Sequence, residues 1–298
     1  MIRKNAEGVK ACLQNGSIPI EDCLVLKNQI KTIVKQIVSL IEKQGISVYL
    51  PKFKRGIIKG LKIGLNKSNE ALIIFLCNEK SNKIIELAKE TINIDNVVGV
   101  YEEYEDGSLN HLAGEEYLVE QYQKTKYNLN PKSYFLDNTK KFELVLKACK
   151  LARKENVLCN SIDLSLFIAS MTKKMTAVEY DKQLVNQGVE LAKLNRLDNL
   201  KVIQGDLTNL ISKLFNSEYY DVLVLDAKRY SLDNKLLDEI LKNNVKRIVY
   251  ICFNPSAMAR DIEKLSSKYQ VKYIASIDQE PQTVIVESIV LLEKNKKM

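Results

Sequence analysis

Residues 250–261 read "YICFNPSAMARD". The stretch opens as an apolar strand, closes as an amphipathic helix, and turns between them through Cys252, Phe253, Asn254 and Pro255. Asn254 suits the N-cap of the helix, and Pro255 suits its first position, where a missing N–H costs nothing. A strand-to-helix turn of this kind belongs to an alternating α/β chain, and the carboxyl end of such a strand is where open α/β sheets hold ligands.

Read outward from this turn, the chain beyond residue 131 alternates strand and helix. A helix over 138–154 leads into strands expected at 156–159, 175–180, 200–205, 220–226, 247–252, 272–277 and 284–293, with helices between them such as 181–197. Alternation implies parallel pairing. The last two strands are joined only by "DQEPQT" and must pair as a hairpin. Five βα units ending in a β-hairpin resemble a class I methyltransferase sheet, a Rossmann-like fold. The first part reads as a smaller α+β domain: an amphipathic helix within 24–45 with Gly45 as its C-cap, a hairpin turning at "NKSN" (66–69), a short helix opened by Ser81, and the strand "NVVGVYEEY". The expected domains are 1–125, an α+β domain that is RNA-binding or accessory, and 126–298, a methyltransferase-like Rossmann domain.

Composition sets bounds on function. Of 298 residues, 46% are hydrophobic and 28% charged, as in an ordinary globular protein. The longest apolar run, "ALIIFLC" at 71–77, is too short to span a bilayer, and "MIRKNAEGVK" has no apolar core for a secretory signal, so a cytoplasmic protein without a membrane partner is expected. Six scattered cysteines without a CxxC pair read as buried reduced thiols, and one histidine leaves no histidine-rich metal site. The net charge is +8, and from Lys43 to Asn69 there are seven Lys/Arg and no acid. Lys52, Lys54, Arg55, Lys59 and Lys62, interleaved with Tyr49 and Phe53, are candidates for tracking an RNA backbone; the same cations also suit the solvated edge of a hairpin.

The carboxyl ends of the strands nominate 159–163, Glu179, Gly205–Asp206, Asp226–Arg229 and Cys252–Pro255. An acid such as Glu179 after a second strand can bond both hydroxyls of a ribose. Asp206 suits either a helix cap or an acceptor for an adenine amine.

Several segments then resemble one family. "VYICFNPSAMARDIEKL" is similar to the "YvSCNPaTlaRDl" signature of the RNA uracil-5-methyltransferases. "YDVLVLDAKRYSLD" is similar to their "fDvvvlDPPRaGld", and "IDQEPQTVIVESIVLLEK" to "vDmFPqTaHvEtvalL". "GSLNHLAGEEYLVEQY" and "LNPKSYFLDNT" echo two further segments, and "PIEDCLVL" looks like the last cysteine segment of an iron–sulfur cluster some members carry. The resemblance implies an S-adenosylmethionine-dependent enzyme acting on rRNA or tRNA. A thiolate adds to uracil C6, C5 takes the methyl group, and a carboxylate removes the C5 proton.

This sequence departs from that pattern at the places the chemistry needs. Phe253 holds the nucleophile's place, with Cys252 one residue early and expected to face the other way as a small buried hydrophobe. Glu287 falls on the base, or is a surface residue of a terminal strand, and the neighbouring histidine is Ile285. In the donor loop, Asn160 and Ile162 replace two glycines; a β-branched residue there is expected to fill ligand space and to resist φ > 0. Leu136 replaces a glutamine, Ala227 and Lys228 two prolines beside Arg229, and Cys23 alone cannot hold an iron–sulfur cluster. The expectation is a degenerate member that binds RNA without methylating it. The alternatives are an active methyltransferase with Cys252 as relocated nucleophile, Glu287 as base and Asn160, Ile162, Glu179, Asp206 and Asp226 at the donor, or a non-catalytic interaction subunit paired with a paralogue.

Overall fold

The computed structural model describes residues 2–5, 8–12, 19–24, 26–122, 124–131, 140–149, 155–227, 231–278 and 286–295. The chain divides into two compact units, Met1–Glu120 with Tyr127–Phe135, and Gln121–Lys126 with Leu136–Met298.

The first unit opens with a hairpin, β1 (Ile2–Asn5) and β2 (Gly8–Ala11), that the sequence pattern does not foreshadow. Helix α1 (Asn28–Lys43) follows, burying Ile33, Val34, Ile37 and Ile41 on one stripe. It ends at Gly45 (φ +57), where the Ile46 N–H reaches back to the Ile41 carbonyl at 3.0 Å, a Schellman closure that favours glycine. Strands β3 (Ile58–Leu65) and β4 (Ala71–Cys77) pair antiparallel about the Asn66–Asn69 turn. Helix α2 (Asn82–Thr91), capped by the Ser81 hydroxyl, crosses over to β5 (Val97–Glu103), which runs parallel to β4. β6 (Leu109–Gly114) closes a four-stranded sheet in the order β3-β4-β5-β6. Its core joins α1 and α2 to β4 through Ile37, Ile41, Ile73, Phe75, Ile84 and Leu87. A further hairpin, β7 (Leu118–Tyr122) and β8 (Thr125–Leu129), follows.

The second unit contains α3 (Lys140–Cys149), β9 (Asn156–Cys159), α4 (Ile162–Ala169), β10 (Lys174–Glu179), α5 (Lys182–Leu194), β11 (Leu200–Gln204) and α6 (Leu207–Ser217). These are followed by β12 (Val222–Asp226), α7 (Asn234–Lys242), β13 (Arg247–Cys252), α8 (Pro255–Leu265), β14 (Tyr269–Ile277) and β15 (Glu287–Lys294). The seven strands lie in the order β11-β10-β9-β12-β13-β15-β14, parallel through β13, with β15 antiparallel to both its neighbours. This is the α/β Rossmann-like methyltransferase sheet with antiparallel final strands that the alternation implied. β15 is fully buried over Glu287–Leu292 because it is inserted between β13 and β14, which explains its continuous apolar run. The strand order reverses between β9 and β12, and a crevice opens at the carboxyl end of the sheet at such a switch point.

The expected ends 150–154 of the α3 segment, the start of the last strand at 284–285, and Leu136, Lys228, Arg229 and Ile285 lie outside the described residues. Among the described residues, no helix is long and apolar enough to cross a membrane.

Candidate functional site

The turn after β13 has the frame the sequence implied. The Asn254 side chain accepts from the Ala257 N–H at 3.1 Å, and Pro255 begins α8. Asp261, on the buried face of α8, accepts from the Leu232 N–H at 2.7 Å and from the Tyr250 hydroxyl at 2.5 Å. The turn is thereby tied to β13 and to the start of α7. These bonds account for Asn254, Pro255 and Asp261 without reference to catalysis.

Cys252 is fully buried, packed with Tyr250, Met258 and Leu225 in the core under α7 and α8. The Asn254 N–H points at its sulfur from 3.3 Å. Burial pushes the thiol above its ordinary value, partly offset by the contact with Asn254, so it is protonated at neutral pH. Phe253 is half-buried, and its ring lies 5.9 Å from the ammonium of Lys141.

Lys141 is the residue that sequence reasoning missed. It stands in the first turn of α3, a helix packed on β13, β14 and β15. Its Nζ lies 2.6 Å from Glu287 Oε1 and 3.2 Å from Asp226 Oδ2. The lysine side chain is 13% exposed, the aspartate 10% and the glutamate 0%. The alternative of a surface glutamate on a terminal strand is therefore corrected: insertion of β15 beside β13 buries Glu287 completely. Burial would discharge the ammonium, but Asp226 and Glu287 outweigh it and hold its pKa above the ordinary 10.5. A signal for this residue was present. Lys141 precedes the buried Val145, Ala148 and Cys149 by four, seven and eight residues, so a lysine occupies the apolar stripe of α3.

At the switch point itself, the ends of β9 and β12 are clasped. Asn160 Oδ1 accepts from the Asp226 N–H at 2.7 Å, and Asn160 Nδ2 donates to the Asp226 carbonyl at 3.1 Å. An asparagine side chain thus continues the ladder where the strands would otherwise part. Ile162 behaves differently from the expectation. It is not among the residues with positive φ; it is the first residue of α4, and its side chain is buried against α5. A Cβ placed at Gly188 would lie 2.3 Å from Ile162 Cγ1, so Ile162 uses space left by a missing side chain on α5. The rest of α4 is largely apolar and, apart from Asp163, buried, as suits a helix wedged between β10 and α5.

The other edge of the sheet is more open. Beyond β10 and β11 lies a shallow cleft of roughly 690 Å³ lined by Tyr180, Asp181, Lys182, Gln183, Gln204 and Gly205. Glu179, at the end of β10, accepts from the Asp181 N–H at 3.1 Å through Oε1. Asp206 caps α6, accepting from the Asn209 N–H at 3.1 Å. Asp226, Phe253, Glu287 and Lys141 are thus brought together, Asn160 is bonded beside them, and Cys252 faces the core.

In the first unit, the basic stretch is less uniform than its sequence. Lys59 and Lys62 pair with Glu105 and Glu103 at 2.9 and 2.6 Å, and Lys43 pairs with Glu90 at 3.6 Å. The sheet brings in acids that the stretch itself lacks. Lys52, Lys54 and Arg55 have no carboxylate at ion-pair distance among the described residues.

Comparison with known proteins identifies the ancestry. The family model described as tRNA (uracil-5-)-methyltransferase matches residues 108–295. The chain is 28% identical over 286 residues to an uncharacterized RNA methyltransferase of Fusobacterium nucleatum, covering 88% of this chain and 61% of that protein. It is 25% identical over 296 residues to an uncharacterized RNA methyltransferase of Listeria innocua, covering 93% of this chain and 65% of that protein. The chain therefore spans less than two-thirds of the length of these relatives. In fold it is similar to the Pyrococcus abyssi tRNA (uracil-54, C5)-methyltransferase solved in complex with S-adenosyl-L-homocysteine, with a TM-score of 0.79 at 20% identity over 98% of this chain and 74% of that one. With the family model matching well over half of its residues, the chain belongs to the tRNA (uracil-5-)-methyltransferase family of S-adenosylmethionine-dependent RNA methyltransferases.

Proposed function

We propose that this chain binds RNA and does not methylate uracil. The observation that carries the reading is the buried Lys141–Glu287–Asp226 cluster facing Phe253. Methylation at C5 requires a thiolate that can reach C6 and a carboxylate free to take the C5 proton. Phe253 stands where the family's thiol stands, and it has no nucleophilic atom. Cys252 offers a protonated, fully buried sulfur packed in the core. Glu287 already accepts a charge-assisted bond from an ammonium that its surroundings keep charged, so its Oε1 is engaged within the protein.

The family's methyl donor fits this chain only in part. At the nucleoside end, Glu179 presents a carboxylate beside the open cleft of β10 and β11. At the methionine end, the loop after β9 carries a Cβ at Asn160, Ser161 and Ile162, and the Asn160 amide is engaged with the Asp226 backbone. A glycine-lined approach for the donor's methionine end is lacking. RNA binding is supported by the net charge of +8 and by the unneutralised cations at Lys52, Lys54 and Arg55. Arg229, a further candidate contact, lies outside the described residues.

The test uses the full chain with 5-fluorouridine-substituted tRNA and rRNA fragments and S-adenosylmethionine. The expected result is retention of RNA in native low-salt gels and no adduct after denaturation. A denaturation-resistant protein–RNA complex would overturn the proposal, because it requires addition of a protein thiol to C6.

A further inference from the structure

The loop Leu50–Arg55, "LPKFKR", is built to present one aromatic ring among cations. Its base is closed by an antiparallel bridge between Leu50 and Arg55, with the Leu50 N–H donating to the Arg55 carbonyl at 2.9 Å. Pro51 starts a short 3-10 turn, within which the Phe53 N–H donates to the Leu50 carbonyl at 3.0 Å. Lys54 takes a left-handed conformation (φ 49°, ψ 35°) that ends the turn. Gly56 follows at φ +116, where a Cβ would lie 2.4 Å from the Val48 carbonyl oxygen, so the chain can pass there only as glycine. These constraints hold the ring at the tip of a preordered loop.

Phe53 is 58% exposed and belongs to neither hydrophobic core. The Arg55 guanidinium lies 5.1 Å and the Lys52 ammonium 5.8 Å from its ring centre. Elsewhere in the basic stretch, Lys59 and Lys62 are neutralised by Glu105 and Glu103. Within this stretch, an apolar ring and unneutralised cations thus coincide at the tip.

We infer that Phe53 is a stacking platform for one unpaired base of a single-stranded RNA, with Lys52, Lys54 and Arg55 engaging the adjoining phosphates. The inference rests on the RNA-binding reading above and gives it a place and a substrate class. A ring on a loop can stack only on a base that lacks a neighbour, which favours single strands over duplex. Stacking on one ring is tolerant of base identity, and a preordered loop loses little freedom when it engages.

The experiment measures anisotropy of a short labelled oligouridylate at low salt, against the same oligomer with abasic sites, a duplex of equal length, an acidic peptide and anionic vesicles. The wild-type chain should bind the base-bearing strand about tenfold more tightly than the abasic one. Phe53→Ala should remove that difference and leave abasic binding unchanged, whereas Phe53→Tyr should retain it. Replacing Lys52, Lys54 and Arg55 with glutamine should weaken both strands and lower the logarithmic salt slope by about 0.7 for each phosphate no longer neutralised. If the wild-type chain binds RNA and Phe53→Ala binds equally well, the platform is wrong and the RNA-binding reading stands. If it binds no RNA, both fall. If duplex binds as tightly as single strand, or the peptide or the vesicles bind through Phe53 in its place, the single-strand assignment is overturned.

Discussion

The two halves of one sheet have diverged at the end where its parallel strands finish. Beyond β10 and β11 the surface is open: Glu179 and Asp206 adjoin in sequence the residues Tyr180 and Gly205 that line a cleft, and Asp206 caps α6. Beyond β12, β13 and β15 the corresponding space is occupied by Lys141, Phe253 and two carboxylates, sealed at the switch point by the Asn160 clasp. Both regions belong to the same sheet and lie where its parallel strands end, the closed one with the antiparallel β15 beside β13. The difference is that the closed edge satisfies its charges internally. A site that binds substrate must leave donors, acceptors or charges for the ligand, whereas a buried cluster balanced by its own lysine has little left to offer.

The largest test of this contrast is removal of the lysine. Lys141→Met leaves Glu287 and Asp226 buried beside each other without a cation, and should cost about 3–5 kcal/mol. Thermal unfolding should report it, and Lys141→Met combined with Glu287→Gln should recover a large part of the loss. The pH dependence has a definite sign. Because the folded state holds the Lys141 pKa above its ordinary 10.5, the stabilisation is complete below that value and is lost as pH rises through the elevated one. Denaturant unfolding of the wild-type chain should therefore weaken above pH 10.5 by more than that of the methionine variant.

A smaller effect is expected at the junction of α4 and α5. Gly188→Ala places a methyl group on Ile162 and should cost about 1–3 kcal/mol. Ile162→Ala in the same chain should relieve the clash, so the two changes should be strongly non-additive. Additive losses would show that the fit between these positions is not what holds α4 in place.

The smallest effect belongs to the open edge. Asp206→Ala removes the cap of α6 and should cost about 1 kcal/mol. If the edge also serves a nucleoside, Glu179→Gln should weaken adenosine binding in calorimetry while leaving thermal stability within about 0.5 kcal/mol of wild type. Equal affinity in both proteins would make the two edges alike in function, and the contrast would fail.

Local patterns made much of this molecule legible. The alternation from 156 onward, the apolar run of β15 and the "FNPSAM" turn specify strands, helices and a cap through neighbouring residues alone. The hairpins β1–β2 and β7–β8 were not legible, because their short strands lack a sustained apolar period. Lys141 carried a readable sign, a cation on an apolar stripe, but its partners lie 85 and 146 residues away. The neutralisation of Lys59 and Lys62 was equally hidden, since their acids arrive from β5 and the turn beyond it.

By itself, the sequence determined the sheet, the ancestry and the absence of a thiol at Phe253, because these are properties of adjacent residues and of their spacing. Tertiary structure alone decided that Glu287 is buried and paired, that Ile162 packs on α5, and that Lys59 and Lys62 are neutralised while Lys52 and Arg55 stay beside the exposed Phe53. Each of these depends on which distant side chain fills the neighbouring space, and burial and charge pairing are set by that proximity.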